Sequence, residues 1–532
     1  MMNNLALSLP AEYWQSLKVS KQDIDFLLNY LFETETPQTT KELAAVLVEE
    51  RIRAEREAFL KKRTGKGKIY RPKERYRRGD TLVFPALEWQ RGQVVDRRPG
   101  VNPEIGEFEV LTVAMEDGQE RLFAAQLENH PLNDHLETEP DDEITPQSVL
   151  QEHGATIEQI LEAALQANEE LVRIAGRWFP RALLVDVNLG QLNLAEAVLD
   201  MAGGEPLPTT ALMKDIELPD GVNPKLTEFS LNYALQEDER FDEVGPAGQV
   251  LWCLRRLEPE GVRQIPNHLR YDPIPHDRSL LTEDMLLLEA QLDDELSQPE
   301  KRFLRDDLDE VTVSLIYPHW RAGTLPVSER LRHFFPTAYE SPRVRFTLVD
   351  GKTGKKMPGW VVRKERYVYG LRKWYEENNL IPGSLVRVRH GETPGEVIVE
   401  ALTRRTTREW MRTVIVGADG GLVFALLKQN LASEIDERMA IVVPDPEALD
   451  RLWEEKKHAK RSFKNLVIAL MREHAKLTPQ GHVHAQELYA AVNLVRRCPP
   501  APLFSLLASE TDFVHLGDLY FRLAETNAED EA

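Results

Sequence analysis

Residue types able to do hydrolytic or metal chemistry stand at a few places in the chain, and at each the spacing argues for something plainer. Pro444-Asp445 followed by Glu454-x-Lys456 matches the letters of a PD-(D/E)xK nuclease. That chemistry needs its carboxylates and lysine on adjacent strands around a divalent ion. The stretch EALDRLWEEKKHAKR has helical periodicity instead, so a metal-dependent nuclease is kept only as an alternative. His482-x-His484 puts two ligands on one face of a strand with no third ligand in view, and helix capping is the simpler role. His130 and His135, scattered beside carboxylates, read as solvent groups. Gly351-Lys352-Thr353-Gly354-Lys355-Lys356 has the residue types of a phosphate loop at the wrong spacing, on a strand turn. No HExxH, GxSxG or paired-cysteine motif occurs. The expectation is a protein without catalytic residues, metal or cofactor.

The chemistry better represented is that of binding phosphate. Between Arg343 and Arg412 there are 16 Lys/Arg against 8 Asp/Glu, inside a chain of formal charge −22. Aromatic residues interleave: Trp360, Tyr367, Tyr369 and Trp374 lie among Arg363, Lys364, Arg366, Arg372 and Lys373. Cations that neutralise phosphate beside aromatic faces suit a nucleic-acid surface. Arg343, Arg345, Lys352, Lys355 and Lys356 join the set, and Trp360 is its aromatic member. A second basic island runs from Arg51 to Arg78, with 13 Lys/Arg against 3 Asp/Glu. Within it Arg63, Lys66, Lys68, Arg71, Lys73, Arg75, Arg77 and Arg78, punctuated by Tyr70 and Tyr76, form either a flexible phosphate-binding arm or a solvated linker. The glycine and tyrosine content favours the arm.

These islands sit in an otherwise acidic chain, and from Leu122 to Val172 there are 12 Asp/Glu and no Lys or Arg. At 532 residues the chain is long enough for several domains. Two distant cysteines, Cys253 and Cys498, give no disulfide framework. No apolar run reaches the ~18 residues that span a membrane, and MMNNLALSLPAEYW lacks the basic start and apolar length of a signal peptide. A cytoplasmic protein is expected.

Around the central basic segment the pattern alternates as strands do. Val344, Phe346 and Leu348 point one way and Arg343, Arg345 and Thr347 the other. Asp350-Gly351 turns into a strand at Gly359-Trp360-Val361-Val362, then a short helix over Leu371 to Asn379 and a turn at Pro382-Gly383. Ser20 and Thr40 are expected N-caps of two N-terminal helices, and Thr209 of a third. Four strand-like stretches follow the arm: Gly79 to Phe84, Gly92 to Val95, Phe108 to Val113 and Arg121 to Ala124. Phe241-x-x-Val244-Gly245…Trp252-x-Leu254 parallels Phe513-x-x-Leu516-Gly517…Tyr520-x-x-Leu523, each after three helices, which reads as an internal repeat. GADGG marks a hairpin between Thr413-Val414-Ile415-Val416 and Leu422-Val423-Phe424-Ala425.

Several resemblances follow from these residues. The two repeats resemble winged helices of the HARE-HTH type, also seen in the delta subunit of bacterial RNA polymerase, each over about 65 residues. The four-strand stretch resembles SH3-like barrels. Leu325-Pro326 through Phe335-Pro336, Leu348-x-Asp350-Gly351…Gly359-Trp360, Arg366-Tyr367-Val368…Leu371…Trp374 and Asn379-Leu380-x-Pro382-Gly383 resemble the DNA-binding pseudobarrel of plant transcription factors and restriction-enzyme effector domains. Ser384 stands where that family has Asp, and the GKTGKK loop is extra. The resemblance implies two arms that enter the major groove, here Lys352, Lys355 and Lys356, and Arg363, Lys364 and Arg366.

The expected fold class is α+β and multidomain: 1–62 helical and HTH-like, 63–133 basic arm plus SH3-like small β-barrel, 134–190 acidic linker and helices, 191–259 winged helix. Then come 260–323 acidic linker and helices, 324–412 DNA-binding pseudobarrel, 413–461 hairpin and helix linker, and 462–525 C-terminal winged helix. The expected function is a non-enzymatic protein that binds double-stranded DNA, as a transcription regulator or the DNA-targeting part of a prokaryotic defence system. Its winged helices would bind DNA or a protein partner. The alternatives are a protein-interaction scaffold on RNA polymerase and the nuclease above.

Overall fold

The computed structural model describes residues 11–64, 67–102, 106–134, 145–216, 223–304, 308–393, 395–418, 420–455 and 461–524. They form a mixed α+β chain with six sheets among the described residues. It divides into two compact units, Met1–Arg173 with Arg177–Leu184, and Ile174–Gly176 with Val185–Ala532. No helix among the described residues is long and apolar enough to cross a membrane.

One plan recurs three times: helix, two-residue strand, two further helices and a hairpin. The first copy uses Lys21–Thr34, Gln38–Thr39, Thr40–Thr64 and Pro146–Gln166, then the hairpin Leu171–Ile174 and Arg177–Pro180. The second uses Leu189–Met201, Leu207–Pro208, Thr209–Leu212 and Pro224–Glu237, then Phe241–Glu243 and Leu251–Leu254. The third uses Phe463–Ala475, Val483–His484, Ala485–Val492 and Pro500–Ser509, then Phe513–Gly517 and Tyr520–Leu523. In every copy the short strand pairs with the second strand of the hairpin.

The register shows what holds each hairpin down. Trp178, Trp252 and Phe521 stand opposite Gln38, Leu207 and Val483, and all three side chains are buried. A buried indole N–H needs an acceptor. Trp178 Nε1 donates to Thr40 Oγ1 at 3.0 Å, and Trp252 Nε1 to Asn232 Oδ1 at 2.8 Å, an oxygen that also accepts from Thr209 Oγ1 at 2.6 Å. Thr40 and Thr209 thus turn inward rather than cap. Thr39 caps instead, its Oγ1 accepting from Glu42 N and its own N–H donating to Glu42 Oε2. Ser20 caps its helix as expected, in a capping box with Asp23. The register also shifts the sequence alignment by one: Trp252 corresponds to Phe521, not Tyr520, because Trp252-x-Leu254 and Phe521-x-Leu523 share a face.

The first copy is the one the sequence hides. Its second and third helices are separated by a complete five-stranded sheet, yet Leu27, Leu31, Leu43, Leu47, Ile157, Leu161 and Trp178 fill one core. The expected regions 1–62 and 134–190 are therefore halves of one body, although 135–144 lies outside the described residues. In the inserted sheet Thr81–Phe84, Gln90–Pro99, Glu109–Met115 and Glu120–Ala125 are antiparallel neighbours, and Lys68–Ile69 adds a parallel strand at the Thr81–Phe84 edge.

In the second unit a seven-stranded sheet runs in the order Glu310–Ser314, Leu385–His390, Glu396–Ala401, Arg343–Asp350, Lys356–Val362, Tyr367–Tyr369, Thr324–Pro326. Val344, Phe346 and Leu348 point into one core with Val361, Val368 and Trp374. The sheet starts earlier than expected, at Glu310. The rest of 260–323 is not a loose linker: Met285 and Leu288 on helix Glu283–Leu292 join the core of the third copy, and Asp293, Asp294 and Glu295 are buried. The hairpin at GADGG is a long two-stranded ribbon, Thr403–Val416 with Leu422–Ser433.

Candidate nucleic-acid interface

The basic residues predicted from sequence fall on three surfaces with different fates. The face of the seven-stranded sheet bearing Arg343, Arg345 and Trp360 is covered by the hairpin of the second repeat. Trp360, Val362 and Tyr367 pack with Val244, Cys253, Val262 and Leu269. Arg343 pairs with Asp242 and, at 3.3 Å, with Glu258. Arg345 N donates to Val244 O at 2.8 Å, and its guanidinium lies 5.8 Å from the Trp360 ring centroid. Tyr367 OH donates to Gly261 O at 2.7 Å. Trp360 is 3% exposed, so its ring is not presented for stacking on a base. Strand alternation separates two faces correctly but does not say that both are covered. The sequence assigns Arg343 and Arg345 to a phosphate-binding surface because the carboxylate of Asp242 that meets Arg343 lies 101 residues earlier.

That covered face buries a carboxyl that responds to pH. Burial raises Glu243 from its ordinary 4.5 to about 7, against bonds from Ser341, Gly245 and Leu251 that favour the charged form. In the unfolded chain the same group ionises near its ordinary value. Folding therefore takes up a proton between those two values, and stability falls as pH rises through that window. Glu243→Gln should leave thermal stability near pH 5 unchanged within a degree or two and raise Tm at pH 8 by a few degrees, which melts at both pH values would show. Equal differences at both would exclude a protonated Glu243.

The second surface is the loop of the Arg343–Asp350 and Lys356–Val362 hairpin. Lys352, Lys355 and Lys356 are exposed but engaged: Lys352 Nζ with Thr403 Oγ1 at 2.6 Å, Lys355 with Glu377 at 3.0 Å and Lys356 with Glu396. Arg363 donates to Ser341 O at 2.7 Å, Arg366 pairs with Glu329 at 2.9 Å, and Arg372 and Lys373 have helical partners in Glu376 and Glu377. Lys364 is exposed, with no side-chain partner among the described residues. The Lys352–Thr403 bond joins this loop to the base of the ribbon. Gly383 and Ser384 mark the same base: Gly383 has φ +92° and a Cβ there would lie 2.3 Å from Ala440 Cα, while Ser384 Oγ sits fully buried 3.0 Å from Ser433 Oγ. An Asp in place of Ser384 would bury a charge against that hydroxyl.

The third surface is the N-terminal basic island. From Lys68 onward it is no flexible arm. Tyr70 and Tyr76 lie in the core of the five-stranded sheet, Tyr70 OH donating to Ala124 O at 2.6 Å and Tyr76 OH accepting from Arg71 N at 2.6 Å. Gln126 N and Leu127 N donate to Glu74 O and Pro72 O, tying the segment down along its length. Lys68 pairs with Asp80 at 3.1 Å and Arg71 is half-buried. Lys73, Arg75, Arg77 and Arg78 are exposed, and none has a side-chain partner among the described residues. Arg77 stands beside Asp80, whose carboxyl its charge helps to lower, while Lys73, Arg75 and Arg78 have no ion pair among the described residues. Arg63 lies in helix Thr40–Thr64, its side chain outside the described residues, as is Lys66 altogether.

The residues of the catalytic alternative have structural posts. Asp445 caps helix Pro446–Glu454 by accepting from Ala448 N at 3.0 Å, Glu454 ends that helix, and Lys456 lies outside the described residues. His484 caps helix Ala485–Val492, its Nδ1 accepting from Gln486 N at 3.1 Å. Among the described residues no group of three or more His, Cys, Asp or Glu is placed to hold a metal ion. Sequence reasoning found the tip of the ribbon at GADGG but missed its extension back to Thr403 and on to Ser433. Arg404, Arg405, Arg408 and Lys428 are exposed there beside Trp410, and the signal was the run Arg404-Arg405-Thr406-Thr407-Arg408-Glu409-Trp410 itself. Compared with protein-family models, with curated proteins and with solved structures, the chain finds no match.

Proposed function

We propose that this protein is a non-enzymatic, cytoplasmic binder of double-stranded DNA, acting as a transcription regulator or as the DNA-targeting part of a prokaryotic defence system. The three repeats are taken as winged helices, the five-stranded sheet as an SH3-like barrel and the seven-stranded sheet as a DNA-binding pseudobarrel. The observation that carries the reading is the cluster Lys73, Arg75, Arg77 and Arg78. In a chain of formal charge −22 these cations are exposed on a hydrogen-bonded segment, and none makes an ion pair within 4 Å among the described residues. Ordinary surface cations of an acidic protein find carboxylate partners, as Lys355 and Lys356 do. A group of four that does not is suited to phosphate, where binding releases condensed counterions. The repeats supply positioning. The third helix of the second copy, Pro224–Glu237, turns Leu226, Phe229, Leu231 and Leu235 inward and carries one lysine, which favours a protein partner for that copy.

The test is a titration of the full chain with duplex DNA over a range of salt. The expected result is an affinity that falls linearly in log–log form with salt, by about 0.9 per phosphate contact. Binding that is absent at low salt, or insensitive to salt, overturns the reading.

A further inference from the structure

The ribbon Thr403–Val416 and Leu422–Ser433 holds a site of its own. Trp410 is 64% exposed, and it is the one exposed tryptophan among the nine of the chain. Near the tip the ribbon is anchored, since Val414, Leu422 and Phe424 enter the core of the third repeat. The half nearer its base is open: Arg404, Arg405, Thr406, Thr407 and Arg408 are all exposed. The strand register breaks between Thr403 and Thr407, so Arg404 to Thr406 bulge out of the ladder. Bulges of this kind re-aim side chains. On the partner strand Lys428, paired with Trp410, places its Nζ 5.1 Å from the indole centroid. Only Arg404 of the three arginines has a carboxylate, Glu409 at 2.7 Å; Arg405 and Arg408 have no side-chain partner among the described residues.

Beside the indole lies a cleft of about 520 Å³, within the usual range of small-ligand pockets. Its lining is mixed and more polar than apolar: Met411, Leu426 and Ile435 alternate with Arg404, Arg412, Glu434 and Glu437. Carboxylates there repel a phosphate but accept from the exocyclic amines of a base. Arg405, on the bulge, and Arg408, back in the ladder opposite Asn430, do not line the cleft. An exposed indole, a polar cleft with carboxylate acceptors and flanking cations match an unstacked nucleobase with its neighbouring phosphates.

We propose that Trp410 is a stacking platform for an unpaired base of single-stranded nucleic acid, with Arg405 and Arg408 on the flanking phosphates. The assignment goes beyond the duplex reading and stands apart from it, on a different surface. The probe is a fluorescein-labelled single-stranded DNA of about 16 nucleotides, followed by anisotropy with the full chain. Trp410→Ala should weaken binding about tenfold, while Trp410→Phe, which keeps a ring, should cost less than about threefold. Arg405→Ala with Arg408→Ala should flatten the salt slope by about 1.4. Thermal melts should be unchanged, because the indole is exposed, and duplex affinity should stay within twofold in Trp410→Ala. Unchanged single-strand affinity in Trp410→Ala overturns the proposal. So does a parallel loss of duplex affinity, or equal displacement of the probe by poly-glutamate, a polyanion without bases. Failure of duplex binding in the unmodified chain, with single-strand binding intact, would sink only the duplex reading.

Discussion

Replacing Lys73, Arg75, Arg77 and Arg78 together by alanine should lower duplex affinity by about a hundredfold to a thousandfold near physiological salt. The log–log salt slope should flatten by about 3.6, because each lost phosphate contact removes about 0.9. Stability should hold, since exposed side chains away from caps and networks change folding by only about ±0.5 kcal/mol each. Per residue replaced, the double change at Lys355 and Lys356 should cost far less: both already pair with carboxylates, Glu377 and Glu396, so their transfer to phosphate exchanges one partner for another. The ratio of the two losses per residue is the informative quantity. Equal losses per residue from both variants would return the duplex contact to the loop of the seven-stranded sheet. No loss from either would remove duplex DNA from both surfaces.

What was legible in the sequence was local. The strand alternation at Val344, Phe346 and Leu348, the hairpins of the second and third repeats, the GADGG turn and the capping role of His484 rest on neighbours a few residues away, where periodicity and turn chemistry decide. Everything missed depended on distant partners. The first repeat is interrupted by a sheet, so its period does not appear along the chain, and only the common core of Leu31, Leu47 and Leu161 reveals it. Tyr70 and Tyr76 looked like groove-seeking aromatics because the carbonyl that accepts from Tyr70 OH belongs to Ala124, more than fifty residues on. Trp360 looked like a stacking platform for the same reason, and the tryptophan that is exposed, Trp410, sat unremarked at the end of the same basic run. Charge counts located the basic islands but could not sort paired cations from free ones, which is the distinction on which the candidate site turns.

The largest effect on stability should come from Arg497, just before helix Pro500–Ser509. It is fully buried, with Nη2 2.8 Å from Asp294 Oδ1 and 2.7 Å from Glu295 Oε1. Nη1 donates to Asn493 Oδ1 and to Cys498 O, both at 3.2 Å. Glu295 also meets His319 Nε2 at 3.0 Å, and Asp294 accepts from Tyr489 OH at 2.5 Å. The network fastens the third repeat to the acidic segment after helix Glu283–Leu292, so Arg497→Met should strand two buried carboxylates and cost about 3–5 kcal/mol. Burial pushes the Glu295 carboxyl up, but Arg497 and then His319 pull it further down, and in the intact protein it is held well below the usual carboxylate range. Its contribution to stability is therefore complete above the ordinary value of 4.5 and is lost only in acid, as pH falls through the depressed folded value. Without Arg497, burial and His319 are left acting on Glu295 in opposite directions and its carboxyl moves up from its place in the intact protein, so the variant's deficit in stability should narrow as pH falls from about 7 to 5. Adding Asp294→Asn and Glu295→Gln to Arg497→Met should recover most of the loss and abolish that pH dependence, since a neutral buried group needs hydrogen bonds but no counter-charge. Thermal melts of the intact protein and of the single and triple variants at pH 5 and 7 read both effects, and a single variant whose deficit does not narrow towards pH 5 would show that the carboxylates find another cation.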